Sequence, residues 1–394
     1  MRIVVLDYAG HIPQADLARN LAKLGHTVRH MYCSDYVSGR GAVEREADDP
    51  KDLEFLPLSI NARYNRYNPL ERLNHELKTS KIFLNAILGF NPEVVIFSNV
   101  PLLTMYRLAH SMQKERIPYI HWWQDVISIA MGNAIKRFGI ISLPLRKTFN
   151  YLERYVVRNA ASVIAITPNF ERIYYNWNLN LENFSIYPNW TPADHFSGII
   201  KENVINKNPE RKLAVYAGTL GIKHRPELLL ALADDVEFKN QHGIVVVVSQ
   251  GLGRKFLDRP ENIRPNLQLL DFLAITELSE LFKKSSVLLA ILELEASEFS
   301  VPSKIMSYLT SGKPIVASIS VENASAKILI STGAGFVIDP TASEKEFSNA
   351  VVKILTDVNL QKSMGRAGKD YALANFDGAK AANFFLKIIQ NNKY

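Results

Sequence analysis

"YAGTLGIKHRPELLLALA", residues 216–233, is the stretch whose reading decides the fold. It begins as the end of a buried strand and turns through Gly-x-x-Gly at Gly218 and Gly221. It then passes a basic cluster of Lys223, His224 and Arg225 and opens a helix near Pro226. Glycines in such a turn let a ligand approach the backbone, and the turn can present N–H groups to phosphate oxygens. A dinucleotide fingerprint would need Gly-x-Gly-x-x-Gly at this place, and the sequence lacks it.

Downstream, the same strand–turn–helix unit recurs. "GIVVVVSQG" (Gly243–Gly251), "NLQLLDFL", "SVLLAIL", "KPIVASI" and "AGFVIDP" are apolar runs bounded by turn signals, with helical spacing between them. "SQGLGRKFL" places Gly251 and Gly253 at a strand end, where they read as a further loop beside the first. In "VPSKIMSYLTSGKPIVAS" a helix starts at Val301-Pro302-Ser303-Lys304. Pro302 suits a first turn, and Ser303 and Lys304 add a hydroxyl and a charge where a helix dipole already favours anions.

Upstream, "PEVVIFSN", "PYIHWW" and "ASVIAIT" follow a first strand, Arg2–Leu6, and alternate with helical patterns. Alternation of this kind builds parallel sheets from right-handed βαβ units. A Pro-, Asn- and charge-rich stretch, Pro188–Lys212, interrupts it and reads as a linker. The expected organisation is an N-terminal domain over 1–195, a second domain over 196–375 and a closing helix over 376–394.

Composition narrows the classes. The 394 residues are 47% hydrophobic and 22% charged, ordinary for a globular protein too long for one core. The first residues read as a strand and not as a secretory signal, and no apolar run approaches the roughly 18 residues of a membrane span. A single cysteine, Cys33, offers neither disulfide nor metal spacing, which suits a reducing cytoplasm. The net charge of +7 is concentrated between Ile60 and Arg158, with 14 Lys/Arg against 6 Asp/Glu. That excess fits a solvated basic face, or attraction to anionic headgroups or a phosphate-bearing acceptor. No nucleic-acid-binding motif accompanies it. "AIKRFGIISLPLRKTFNYLERYVVRNA" (Ala134–Ala160) is basic and amphipathic, suiting either a packed helix or a membrane surface. No Asp-x-Asp, Gly-x-Ser-x-Gly or His-Glu-x-x-His occurs, so metal-bridged transferases and common hydrolases are disfavoured.

The order GTLG, QGLGR, "LDFLAITELSELFKKSSVLLAI", "VPSKIMSYLTSGKPIVAS" and "GAGFVIDPTASEKEF" resembles the second domain of GT-B glycosyltransferases. The likeness is greatest to family 4, the bacterial O-antigen, capsule and exopolysaccharide enzymes. "WWQDVISIAM", "AITPNF" and "IYPNW" resemble that family's first domain and interdomain segments.

The resemblance implies two Rossmann-like domains whose parallel sheets face a central cleft. It also implies transfer with retention from a nucleotide-diphosphate sugar, UDP favoured, to a glycan or polyprenyl-linked acceptor, with no cofactor or metal required. Peripheral contact with the inner membrane surface is a further implication. By the same likeness Gly218, Thr219 and Gly221 lie near the donor phosphates and Ser303 and Lys304 at the diphosphate. Gln124 and Asp125 face the transferred sugar. Gly10 and His11, in the first strand–helix loop, and His121 are further candidates on the acceptor side and for catalysis.

Two positions depart from the family pattern. Its pair of glutamates falls on Phe299, beside Glu298, and on Ser307. Its Arg and Lys after the glycine loop fall on Thr219 and His224, leaving Lys223, Arg225 and Lys304 as alternative sources of charge. Two other functions fit the scaffold: a nucleotide-sugar 2-epimerase, and a non-catalytic donor-binding subunit of a polysaccharide-assembly complex.

Overall fold

The computed structural model describes residues 1–36, 43–62, 68–192, 211–221, 224–292 and 303–391. The chain forms two units, Met1–Pro188 with Gly378–Tyr394, and Asn189–Asp377.

The first unit is built on β1 (Arg2–Asp7), β2 (Thr27–Cys33), β3 (Leu53–Leu58), β4 (Val94–Ser98), β5 (Tyr119–Trp123), β6 (Ser162–Ala165) and β7 (Phe184–Ile186). All pair in parallel, in the order β3-β2-β1-β4-β5-β6-β7. The crossovers are α1 (Ile12–Lys23), α2 (Pro69–Phe90), α3 (Leu102–Glu115), α4 (Ile127–Ile135), α5 (Leu143–Asn159) and α6 (Phe170–Asn176). Strand order reverses between β1 and β4, and ligands of open α/β sheets bind outside the carboxyl ends at such a switch point.

The second unit repeats the plan with β8 (Lys212–Ala217), β9 (Gly243–Val248), β10 (Leu267–Leu270), β11 (Ser285–Ile291), β12 (Ile315–Ser318) and β13 (Gly335–Ile338). Their order is β10-β9-β8-β11-β12-β13, again parallel, with the switch between β8 and β11. Its helices are α7 (Glu227–Asp234), α8 (Val236–Asn240), α9 (Leu252–Leu257), α10 (Ile275–Lys284), α11 (Ser303–Ser311), α12 (Ala324–Thr332), α13 (Glu344–Thr356) and α14 (Val358–Asn375). Strands buried on both faces read as unbroken apolar runs, and Val245, Val247, Val287 and Leu289 pack with Leu228, Leu232, Phe347 and Val351 of the covering helices.

The last helix, α15 (Gly378–Asn391), belongs to the first unit and packs on α1. Phe385 meets Trp122 edge-on at 4.9 Å, and a Cβ on Gly378 would sit 2.0 Å from the Asp16 carboxylate. The basic stretch 134–160 is not one helix. Gly139, at φ 59°, breaks it into α4, a 3-10 turn over Lys136–Ser142, and α5.

Candidate functional site

In the second unit the glycine loop and the start of α11 come together, as the sequence suggests, but through tyrosines that sequence reading took for core. Lys304 Nζ donates to the Tyr216 hydroxyl at 2.6 Å and lies 3.9 Å over the same ring. The Tyr216 hydroxyl in turn donates to the Thr219 carbonyl at 3.0 Å. Gly218, at φ 132°, occupies a conformation an L side chain rarely adopts, and a Cβ there would meet Lys304 Cε at 3.3 Å. Lysine and loop are therefore seated against each other. The Tyr308 hydroxyl accepts from the Ala217 N–H at 2.9 Å and donates towards the Ala217 and Leu289 carbonyls, joining the ends of β8 and β11.

Burial pushes the Lys304 ammonium down to about 7. The same cause, followed by the nearby Lys304 charge, takes His224 to about 4, so this imidazole is neutral at neutral pH. Its Nδ1 accepts from the Gly221 N–H at 2.9 Å. Arg225 donates to the Pro340 carbonyl and, at 3.4 Å, to that of Ala342. Of the alternative sources of charge among the described residues, Lys304 is placed at the glycine loop, while Arg225 is engaged elsewhere. Lys223, with Glu298, Val301 and Pro302, lies outside the described residues.

The expected cradle of backbone donors needs correction. The Gly218 and Leu220 N–H groups donate to Val248 and Gln250, and that of Gly221 to His224. Thr219 carries the loop N–H that has no partner among the described residues. Gly251 and Gly253 are explained by the loop they touch: Cβ atoms there would lie 2.8 Å from the Leu220 and Gly221 carbonyls respectively. They let the β9 loop sit on the glycine loop. Ser303 is exposed at the first turn of α11, and Ser307 Oγ is 3.3 Å from Thr191 Oγ1.

In the first unit a cavity of about 340 Å³ opens at the carboxyl ends of β1, β4 and β5, where His11, Asn99, His121, Gln124 and Asp125 line it. His11 is held by a residue that sequence reading treated only as a strand end. Asp7, 0% exposed, accepts from the His11 backbone N–H and from Nδ1 at 2.9 Å. Gly10 makes the turn between them at φ 75°. Burial alone would raise the Asp7 pKa, but the His11 charge and hydrogen bonds outweigh it and hold it below the usual carboxylate range. Burial likewise opposes charge on His11, yet Asp7, and more weakly Asp125, raise its pKa above the usual 6.5.

His121, 3% exposed, is taken down to about 3 by burial, which makes it a poor proton acceptor at neutral pH beside His11. Gln124 is buried and Asp125 exposed. Their turn is fixed by Glu153, which sequence reading left on a basic surface helix. Its carboxylate accepts from Trp123 Nε1 at 3.1 Å and from the Ile127 and Ser128 N–H groups at 3.0 and 2.7 Å, capping α4. Burial raises its pKa against those bonds.

Cys33, Asp35 and His75 bring metal-ligand atoms within 4.8 Å of one another. His75 is bonded to the Tyr8 hydroxyl at 2.8 Å and the Ala62 carbonyl at 3.1 Å, and Asp35 accepts from the Ile60 N–H at 2.7 Å. These polar groups already serve one another.

Comparison with known proteins follows the same division. Residues 14–190 match the family model of a glycosyl transferase 4-like domain, and residues 199–371 match that of glycosyl transferases group 1. No curated protein sequence matches. Among solved structures, sucrose-phosphate synthase from Thermosynechococcus elongatus is similar at 15% identity and a TM-score of 0.72, over 99% of this chain and 98% of that one. WaaG, a glycosyltransferase involved in lipopolysaccharide biosynthesis, is similar at 17% and 0.65, over 98% of this chain and 99% of that one. Anabaena HepE in complex with UDP and glucose is similar at 13% and 0.66, over 99% and 100%.

Proposed function

Because the chain belongs to the GT-B glycosyltransferases, we propose that it moves a sugar from a nucleotide-diphosphate sugar, UDP-activated, to a glycan or polyprenyl-linked acceptor in surface polysaccharide synthesis, with retention of configuration. The observation that carries this reading is Lys304, a cation with no carboxylate partner among the described residues, set against the glycine loop. HepE, which binds UDP, supports the choice of nucleotide.

In this reading Lys304, the Thr219 N–H and the Ser303 hydroxyl take up the charge that develops on the departing diphosphate, with no metal required. Charge held in place before the reaction begins usually lowers such a barrier more than any other single effect. The acceptor enters the cavity of the first unit. There His11, held by Asp7, and Asp125 contact the incoming hydroxyl or the sugar, and the leaving phosphate can itself receive the proton.

Among the described residues no helix is long and apolar enough to cross a membrane. The turn between α4 and α5 nevertheless exposes Phe138, Ile140 (83%) and Ile141 (88%) beside Lys136, Arg146 and Lys147. Apolar side chains ringed by cations suit peripheral contact with an anionic bilayer, the inner face of the cell membrane in this reading.

A titration with UDP, GDP, ADP and dTDP without added metal tests the donor site. Selective binding of UDP that Lys304→Ala weakens markedly is expected, and equal affinity in the variant would refute the assignment. A 2-epimerase on this scaffold, a reading kept open by the similarity to a Listeria monocytogenes protein described as a putative UDP-N-acetylglucosamine 2-epimerase, would interconvert the donor sugar without an acceptor.

A further inference from the structure

A second basin in the first unit, of about 430 Å³, is lined by Arg154, Arg158, Ala160, Tyr174, Asn178, Leu179, Asn180 and Asn183. It lies where α5 runs into β6 and where α6 ends before β7, at the amino ends of those strands. The His11 cavity lies at the carboxyl ends of β1, β4 and β5. The depth of a strand, on the order of 15 Å, separates the two edges, so this basin is not part of the site described above.

Its wall carries two guanidinium groups and no carboxylate. Arg154 and Arg158 stand one turn apart on α5, an arrangement that disfavours the helix through like-charge repulsion. Neither makes a hydrogen bond or ion pair with another described residue. Of the acids nearest in sequence, Glu153 is taken up by Trp123, Ile127 and Ser128, and Glu182 is held by the Asn180 amide at 2.7 Å. Facing the arginines are amides from a different segment, and the Tyr174 hydroxyl, which has no hydrogen-bond partner among the described residues.

Arginine near a helix end is often only compensation for the dipole. That would not explain why both side chains meet a polar wall supplied by another part of the chain. Two helices, α5 and α6, also turn their carboxyl ends this way, which weakens the hold on any anion, so a ligand there needs the neutral contacts of the amides and the phenol as well. Amide groups and a phenol suit hydroxyl groups, while a guanidinium pair suits phosphate or carboxylate.

We propose that this basin is a second carbohydrate site, which holds a saccharide bearing a phosphate or carboxylate group. The choice of a saccharide rests on the glycosyltransferase reading; the charge of the ligand does not. Such a site anchors an acidic stretch of glycan away from the reacting end.

The test is calorimetry on the full chain with trigalacturonate, glucose 6-phosphate, maltotriose and inorganic phosphate, alongside UDP. One of the two anionic saccharides should bind more tightly than either maltotriose or phosphate, and which one does so identifies the anionic group. Arg154→Gln/Arg158→Gln should weaken it by about tenfold or more and leave UDP affinity unchanged. Should that variant fail to fold, Asn183→Asp, which adds a like charge at an exposed position, should weaken binding in the same direction. Phosphate or maltotriose binding as tightly as the tighter of the two anionic saccharides, no binding of any saccharide, or unaltered affinity in the variants would each overturn the proposal. Loss of UDP binding alone would instead strike at the donor site.

Discussion

Lys304 gives the sharpest prediction. In the unliganded protein its pKa is pushed down to about 7, so near neutral pH half of the molecules carry a neutral amine against Tyr216. A diphosphate stabilises the ammonium form. Binding must therefore draw a proton from solution above pH 7, and the apparent affinity must fall as pH rises, approaching about tenfold per unit. Among the described residues the other titratable groups facing the ammonium do not share this step: His224 is already neutral, and burial raises the pKa of the Tyr216 phenol well above its usual range. At pH 8 the uptake should approach one proton per site, because the residue is mostly deprotonated above a pKa of about 7.

Calorimetry with UDP in two buffers of different ionisation enthalpy counts that proton directly. Above pH 7.5 the nucleotide's own terminal phosphate, with a second pKa of about 6, contributes little. Lys304→Met removes the titrating group and one charge-assisted hydrogen bond. It should bind UDP about 10- to 150-fold more weakly, equivalent to about 1.5–3 kcal/mol, with no proton uptake. Equal proton uptake in wild type and variant at pH 8 would refute the placement of Lys304 at the phosphates.

Three further outcomes are expected. Asp7→Asn removes the main group that raises the His11 pKa, so the His11 ring resonances should titrate at lower pH than in wild type; unchanged titration in an NMR series would rule out the pairing. The stability of the Asp7–His11 pair is present above the usual carboxylate pKa and is lost as pH falls through the depressed Asp7 value. It is lost again as pH rises through the raised His11 value. Glu153→Ala strands two buried donors and one half-buried donor and should cost about 3 kcal/mol in denaturant unfolding, while the milder Glu153→Gln should lower turnover and leave UDP affinity intact; a variant as stable as wild type would contradict the capping role. Ile140→Asp/Ile141→Asp should reduce co-sedimentation with anionic vesicles by about tenfold or more, and undiminished association would move membrane contact elsewhere.

The second unit was legible because its inner strands are buried on both faces and so appear as unbroken runs such as "GIVVVV" between turn residues. Two strands of the first unit were not. β3 contains Pro57 and is partly exposed at the sheet edge, and β7 is only Phe184–Ile186. At the sites, His11 could be read because it follows a glycine at a strand end. Asp7 could not, since its role comes from a side chain four residues on that the turn folds back. Tyr216 and Tyr308 look like core in the sequence and are core by burial; only the position of each hydroxyl shows that they tie the glycine loop to Lys304 and to its strand. Glu153 sits among arginines on a helix whose outer face is basic, and nothing linear shows that it points inward.

The return of α15 to the first unit has a consequence for how the protein is made. Residues 189–377 are synthesised in full before the helix that covers α1 leaves the ribosome. Until then the faces around Trp122 and Asp16 await Phe385 and Gly378. The unit begun first is thus completed last, and a nascent chain stalled anywhere within the second unit already carries every strand of the first sheet without the helix that closes it.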